Sequence, residues 1–271
     1  MANWYTSEIA FNSPEEKDII LAYLVSVDIT DALEHDDRIE VYIAESKLTS
    51  FNDIVEEKSL SASPLKVLED KNWNALWESN FDPVFTSVYC VRADFHEADA
   101  GKKNVLIRPR MAFGTAHHPT SFMMIEALSD FDVSHAEVLD YGCGTGILAV
   151  IAIMEGAKHV NCIDIQEEAV ENTLEHFEIN DISPDSYNVF LGNLDVLPEA
   201  QYDLILANIN RYVLSEKAGN LFNLLKEGGT LLLSGILDTD KNMILEIYKQ
   251  NRFQLKSITQ KADWLMMTFD K

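Results

Sequence analysis

The chain is poor in cysteine and has no closely spaced cysteine pair. Cys90, Cys143 and Cys162 lie far apart among 271 residues. Disulfide-stabilised secreted domains and cysteine-based metal sites both need paired or closely spaced cysteines. The pattern therefore excludes a disulfide framework, gives no metal signature and is typical of a reducing compartment.

Long apolar runs and an export signal are also missing. No run reaches the ~18 uninterrupted apolar residues of a membrane span, although apolar residues make up 47% of the chain. Residues 1–5 contain neither the positive charge nor the apolar stretch that a signal peptide needs. We therefore expect a cytoplasmic protein that does not associate with a membrane.

Basic side chains are scarce: 21 Lys and Arg residues stand against 45 Asp and Glu residues, a net charge of −24. Such a surface repels the phosphate backbone, so we expect no direct contact with nucleic acid. It attracts a basic protein at long range. Solubility alone is the other explanation of the charge.

A small acidic module opens the chain. Apolar spacing predicts a strand, a helix that starts at Ser13 and Pro14, two strands, a second helix and a short last strand. This β-α-β-β-α-β order predicts a small α+β, ferredoxin-like domain over residues 1–68. Residues 1–60 alone carry 14 acidic and 4 basic side chains.

Residues 69–110 are predicted to connect this module to the rest of the chain. They begin with a helix that contains Trp73 and Trp77 and continue with short strands. Tryptophans at helical spacing are usually core residues, so we assign them no contact role.

From residue 137 onward, predicted strands and helices alternate regularly. The apolar runs at residues 204–207 and 231–233 are typical of parallel strands that are buried on both faces. We therefore predict an α/β domain over residues 111–271, with a seven-stranded, doubly wound, Rossmann-like sheet. Its ligand site should lie at the carboxyl ends of the strands, and its last two strands should form an antiparallel hairpin.

A glycine-rich turn follows the first strand of this domain. Gly142, Gly144 and Gly146 alternate with Cys143 and Thr145. Backbone can approach a ligand closely there, and the first N–H groups of the next helix can receive a polar group. The third glycine comes one residue too early for the dinucleotide fingerprint. The spacing resembles the first motif of S-adenosylmethionine-dependent methyltransferases.

Polar residues follow the other strands. Asp164 is placed to bind the two hydroxyls of a ribose, and Asp140 to order the glycine turn. Asn193 or Asp195 could approach an adenine amine. The amide oxygen of Asn208 could accept a hydrogen bond from a substrate nitrogen and align its lone pair with a methyl group.

The loop before the first of these strands contains His117 and His118. Thr120 or Ser121 is placed to cap the helix that follows. Neighbouring side chains in a loop rarely reach one ion, and no nearby carboxylate or thiol completes a ligand set. We therefore expect no metal.

Three stretches together, residues 111–121, 138–149 and 203–210, resemble the bacterial methyltransferases of large-subunit ribosomal protein eleven. The acidic module and the tryptophan-containing helix fit the same family. The resemblance implies S-adenosyl-L-methionine as methyl donor, no metal, and this basic ribosomal protein as substrate. It also implies trimethylation of lysines and of the N-terminal amine, with the first module binding the substrate protein.

The resemblance also implies roles for residues. Asn208 would be catalytic, and Phe113, Gly114 and Thr115 would cover the cofactor or the incoming amine. Cofactor contacts are implied at Ser121, Gly142, Asp164, Asn208, Thr120, Gly144, Thr115 and Phe113.

Three positions depart from the family pattern: Ala116 replaces a glycine, Ser121 a threonine, and Asn210 an apolar residue. Ser121 keeps a hydroxyl, whereas Ala116 and Asn210 leave loop flexibility and the number of methyl groups open. Two other functions also stay open. One is methylation of another protein or a small-molecule amine on the same fold. The other is non-catalytic binding of S-adenosylmethionine, against which the intact cofactor motif argues.

Overall fold

The computed structural model describes residues 4–27, 29, 31–35, 37–68, 82–108 and 116–271. The chain divides into two compact units, Met1–Ser79 and Asn80–Lys271. The predicted helix with Trp73 and Trp77 lies outside the described residues, as do the loop residues 109–115. No described helix is long and apolar enough to cross a membrane.

The first unit is a four-stranded antiparallel sheet with two helices. Its elements are β1 Trp4–Ala10, α1 Pro14–Ser26, β2 Ala32–Glu34, β3 Arg38–Ala44, α2 Leu48–Glu57 and β4 Lys66–Leu68. The strands lie in the order β2-β3-β1-β4. Alternate residues of β3, Ile39, Val41 and Ile43, are buried in a core that contains only residues of this unit. The ferredoxin-like assignment stays a prediction.

The second unit begins with a small sheet of three strands, β5 Val84–Phe85, β6 Tyr89–Arg92 and β7 Lys103–Leu106. The edge of this sheet at β7 is hydrogen-bonded by side chains at the C-terminal end of a later helix. The Asn180 amide exchanges hydrogen bonds with the Leu106 backbone, and His176 Nε2 accepts from the Arg108 N–H at 2.9 Å.

The main sheet of the second unit has seven strands in the order β10-β9-β8-β11-β12-β14-β13. The strands are β8 Glu137–Tyr141, β9 His159–Asp164, β10 Tyr187–Leu191, β11 Tyr202–Asn208, β12 Leu225–Leu237, β13 Gln254–Lys261 and β14 Trp264–Asp270. The helices are α3 Pro119–Asp130, α4 Ile147–Met154, α5 Glu167–Ile179, α6 Arg211–Leu224 and α7 Lys241–Gln250.

This sheet confirms the predicted doubly wound fold. Strands β8 to β12 pair in parallel, and β14 pairs antiparallel with both β12 and β13, which gives the expected edge hairpin. Two separate apolar cores form within this unit. The chain leaves β8 toward β9 in one direction and later returns on its other side as β11, so a crevice opens at their carboxyl ends.

Candidate functional site

A cleft of about 780 Å³ opens at the carboxyl ends of β8, β9 and β11. The glycine turn, the end of β9 and the loop after β11 form its walls. Its lining residues are Tyr141, Gly142, Gly144, Ile163, Asp164, Ile165, Gln166, Glu168, Ala169, Glu171, Asn172, Gly192, Asn193, Asn208, Ile209, Asn210, Val213, Gly235 and Trp264. The sheet therefore brings Gly142, Gly144, Asp164 and Asn208 together, although they are distant in sequence.

The glycine turn connects β8 to α4 through a left-handed backbone. Gly142, Gly144 and Gly146 have φ values of +74°, +56° and +71°, and Gly146 is the N-cap of α4. A Cβ at Gly146 would lie 2.7 Å from Thr173 Cγ2 and 3.1 Å from Thr173 Cα. Glycine is needed here because α5 packs directly against the turn.

Asp164 fixes the turn from the end of β9. Its Oδ2 accepts from the Gly144 N–H at 3.1 Å, and its Oδ1 accepts from the Gln166 N–H at 3.1 Å. Each carboxylate oxygen has a further lone pair. The side chain can therefore hold the turn and still accept from hydroxyl groups of a ligand in the cleft.

Asp140 lies beneath the turn and is only 1% exposed. It accepts from the Ala149 N–H in the first turn of α4, and its Oδ2 has no partner among the described residues. Burial, and then the nearby negative charge of Asp164, raise the pKa of Asp140 to about 7. This carboxyl orders the start of α4, whereas its predicted role in the glycine turn stays a prediction.

The raised pKa of Asp140 predicts that the protein loses stability as pH rises. Between the ordinary value of 3.8 and about 7, the folded protein holds a proton that the unfolded chain has released, so the free energy of unfolding falls with pH. Asp140→Asn should remove this fall. Urea unfolding of both proteins from pH 5 to pH 8 measures it, and parallel pH dependences would contradict the assignment.

Asn208 ends β11 and joins two of the predicted site residues. Its Nδ2 donates to Ser121 Oγ at 3.1 Å, and Ser121 is 1% exposed. The other amide atom, Oδ1, is buried and has no hydrogen-bond partner within the described part of the chain. A buried acceptor left unpaired costs free energy, and this one belongs to a residue that lines the cleft.

The prediction that Thr120 or Ser121 caps the helix after His118 is wrong. Helix α3 begins at Pro119, and His118 is its N-cap, with its side chain accepting from the Thr120 N–H. Proline suits the first helical position, which places Thr120 and Ser121 inside the first turn, where both are buried. Burial lowers the pKa of His118, which favours the neutral ring that a cap acceptor requires.

Trp264 is a cleft residue that the sequence analysis does not identify. It begins β14, and its ring meets the His118 ring edge-on with centroids 4.7 Å apart. Aromatic faces attract cations and alkylammonium groups. No local sequence motif places Trp264 at the cleft, because it reaches the cleft only through the pairing of β14 with β12.

The two adjacent histidines have separate surroundings. His117 Nε2 lies 2.9 Å from the Asp82 carbonyl oxygen, whereas His118 contacts Thr120 and Trp264. No described group of three His, Cys, Asp or Glu side chains could hold a metal ion. The absence of a metal stays a prediction.

The family departures have structural explanations. Ala116 is buried and has φ +67°, the left-handed conformation that glycine adopts most easily. Asn210 is the N-cap of α6, and its Oδ1 accepts from the Tyr212 and Val213 N–H groups at 3.1 and 3.2 Å.

Of the adenine candidates, Asn193 lines the cleft and Asp195 is exposed outside it. Phe113, Gly114 and Thr115 lie outside the described residues.

Known proteins match most of this chain. Residues 7–271 match the family model of ribosomal protein L11 methyltransferase, PrmA. The ribosomal protein L11 methyltransferase of Porphyromonas gingivalis is 38% identical over 75% of this chain and 71% of its own length. That of Marinobacter nauticus is 34% identical over 78% of this chain and 71% of its own length.

A solved structure supports the fold. The ribosomal protein L11 methylase of Lactobacillus delbrueckii subsp. bulgaricus superposes with a TM-score of 0.64 at 24% identity, over 70% of this chain and 98% of its own. This chain belongs to the ribosomal protein L11 methyltransferase family.

Proposed function

We propose that this enzyme transfers methyl groups from S-adenosyl-L-methionine to lysine side chains and the N-terminal amine of ribosomal protein L11 in the cytoplasm. The names of its relatives support the substrate. The cofactor would lie in the cleft, with its ribose at Asp164 and the rest along the turn at Gly142 and Gly144. Thr120 and Ser121, with Phe113 and Thr115 from the preceding loop, complete the proposed contacts.

The observation that carries the proposal is the Asn208 Oδ1 atom, which is buried without a hydrogen-bond partner among the described residues. The Nδ2 atom of the same amide donates to Ser121, which fixes the orientation of Oδ1. An amine N–H that donates to Oδ1 would be held with its lone pair free to point elsewhere. Such alignment is the main requirement for transfer of an activated methyl group.

Proton removal is the second requirement, because a lysine in water is protonated near pH 7. Bound S-adenosylmethionine would supply a methyl group already activated by its sulfonium. The Asn208 amide oxygen can accept a hydrogen bond from a neutral amine as well as a stronger one from an ammonium ion, and it is too weak a base to remove the proton. We assign no general base, so the substrate amine would release its proton to solvent before attack.

Incubation of the purified chain with labelled S-adenosylmethionine and ribosomal protein L11 tests the proposal. Label in the lysines and N-terminal residue of that protein is the expected result. Label found only in another protein or in a small amine would mean that the enzyme has a different substrate but the same methyl-transfer chemistry. Cofactor binding without transfer to any acceptor would contradict the proposal as a whole.

Asp164→Ala should weaken cofactor binding by about 1–3 kcal/mol, the cost of losing a charge-assisted contact. The matched control is Asp185→Ala, an exposed carboxylate just before β10 that does not line the cleft. Calorimetric titration of both variants with S-adenosylmethionine gives the comparison. Equal affinities would remove Asp164 from the cofactor site.

A further inference from the structure

Ile209, between Asn208 and Asn210, is enclosed by two glycines. On one side, a Cβ at Gly142 would lie 2.2 Å from Ile209 Cγ2. On the other side, a Cβ at Gly235 would lie 2.1 Å from the Ile209 carbonyl oxygen and 2.8 Å from its carbonyl carbon. Since real Cβ atoms do not approach so closely, only glycine fits at either position.

Gly235 occupies a bulge in β12. The pairing of β12 with β14 shifts register between Ser234 and Ile236, and Gly235 has φ +89°. Bulges re-aim the chain and often lie beside functional sites. Here the bulge presents bare backbone to Ile209 at the point where β12 pairs with the end of β11, Asn208 opposite Ser234.

The two contacts differ in which part of Ile209 is met: its side chain at Gly142 and its backbone at Gly235. The Gly142 side is firm because the N–H groups of Gly142 and Cys143 both donate to the Ile163 carbonyl, at 2.8 and 3.1 Å. The Gly235 side meets the backbone of Ile209, which no side-chain rotation can relieve. Any atom added at Gly235 must therefore displace either the bulge itself or the peptide that joins Ile209 to Asn210, one residue after Asn208.

We propose that Gly235 is a positioning residue for methyl transfer. Its missing side chain lets the Ile209 peptide approach β12 and so sets the position of the Asn208 amide. This inference rests on the proposed function of Asn208. It adds that the acceptor position depends on a bulge 27 residues further along the chain.

Gly235→Ala tests the proposal, and Gly228→Ala is its matched control. Gly228 is also left-handed, with φ +76°, and lies in the same strand, but a Cβ there meets nothing within 4 Å. Both variants carry the same kind of backbone strain. We expect kcat to fall tenfold or more in Gly235→Ala only, with the cofactor Kd changed less than threefold.

The position of Asn208 itself is the structural readout. A crystal structure of Gly235→Ala should show the 3.1 Å hydrogen bond from Asn208 to Ser121 lengthened or broken. If Gly235→Ala does not fold, Gly235→Asn replaces it, because asparagine tolerates a left-handed backbone better and still places a Cβ against the Ile209 carbonyl. We expect the same tenfold loss of kcat at saturating cofactor.

The possible failures are distinguishable. Absence of transfer by the wild-type protein and Gly228→Ala would count against the proposed function. Transfer by Gly235→Ala at the rate of Gly228→Ala would overturn the positioning role and leave the function intact. Wild-type kcat in Gly235→Asn would overturn it equally.

Discussion

Removal of residues 1–79 is expected to abolish methylation of ribosomal protein L11 and to leave cofactor binding unchanged. The cut falls between the two compact units. Among the described residues, each unit buries apolar side chains of its own. The second unit should therefore fold alone and keep the whole cofactor cleft.

The expected loss follows from charge. The first unit is strongly acidic within a chain of net charge −24, and opposite charge raises the encounter rate with a basic protein. Raising the ionic strength to ~1 M shortens the screening length from about 10 Å to about 3 Å and should raise KM for the protein substrate. The cofactor Kd should change little.

Charge-neutralised variants of the full chain separate recognition from folding. One variant carries amides at four exposed acids of the first unit, Asp37, Glu45, Asp53 and Glu57. Its control carries amides at four exposed acids of the second unit, Glu199, Glu227, Glu246 and Asp263. Only the first should raise KM for ribosomal protein L11. A truncated chain that methylates the protein with unchanged KM would contradict the recognition role.

Local patterns predicted which residues lie together on the glycine-turn side of the cleft. The strand before Gly142, the turn and the Asp164 that ends the next strand lie within about one β-α-β unit, whose geometry follows from short-range sequence. The structure accordingly places the Gly144 N–H against the Asp164 carboxylate. Binding of the cofactor at these residues remains a prediction.

The opposite side of the cleft depends on contacts between segments that are distant in the sequence. Trp264 and Gly235 enter the cleft through the pairing of β12 with β14, and no short motif encodes that register. The start of α3 was misassigned for a different reason. Threonine and serine are common caps, and only the structure shows the His118 ring already accepting from the Thr120 N–H.

Asn208→Ala is expected to lower kcat about 100-fold at saturating cofactor, the loss typical of a misaligned reacting group. The substitution removes the unpaired Oδ1 acceptor and the hydrogen bond to Ser121, so the amine would no longer be held in one orientation. Single-turnover transfer to ribosomal protein L11 measures the effect without product release.

Asn210→Ala is the matched control, two residues away on the same loop. It removes an amide that also lines the cleft but whose oxygen caps α6 through two N–H groups. Loss of the cap should lower the free energy of unfolding by about 1 kcal/mol, with kcat retained. The contrast assigns alignment to Asn208 because the two variants remove the same chemical group. A wild-type single-turnover rate in Asn208→Ala would show that the amide does not align the amine.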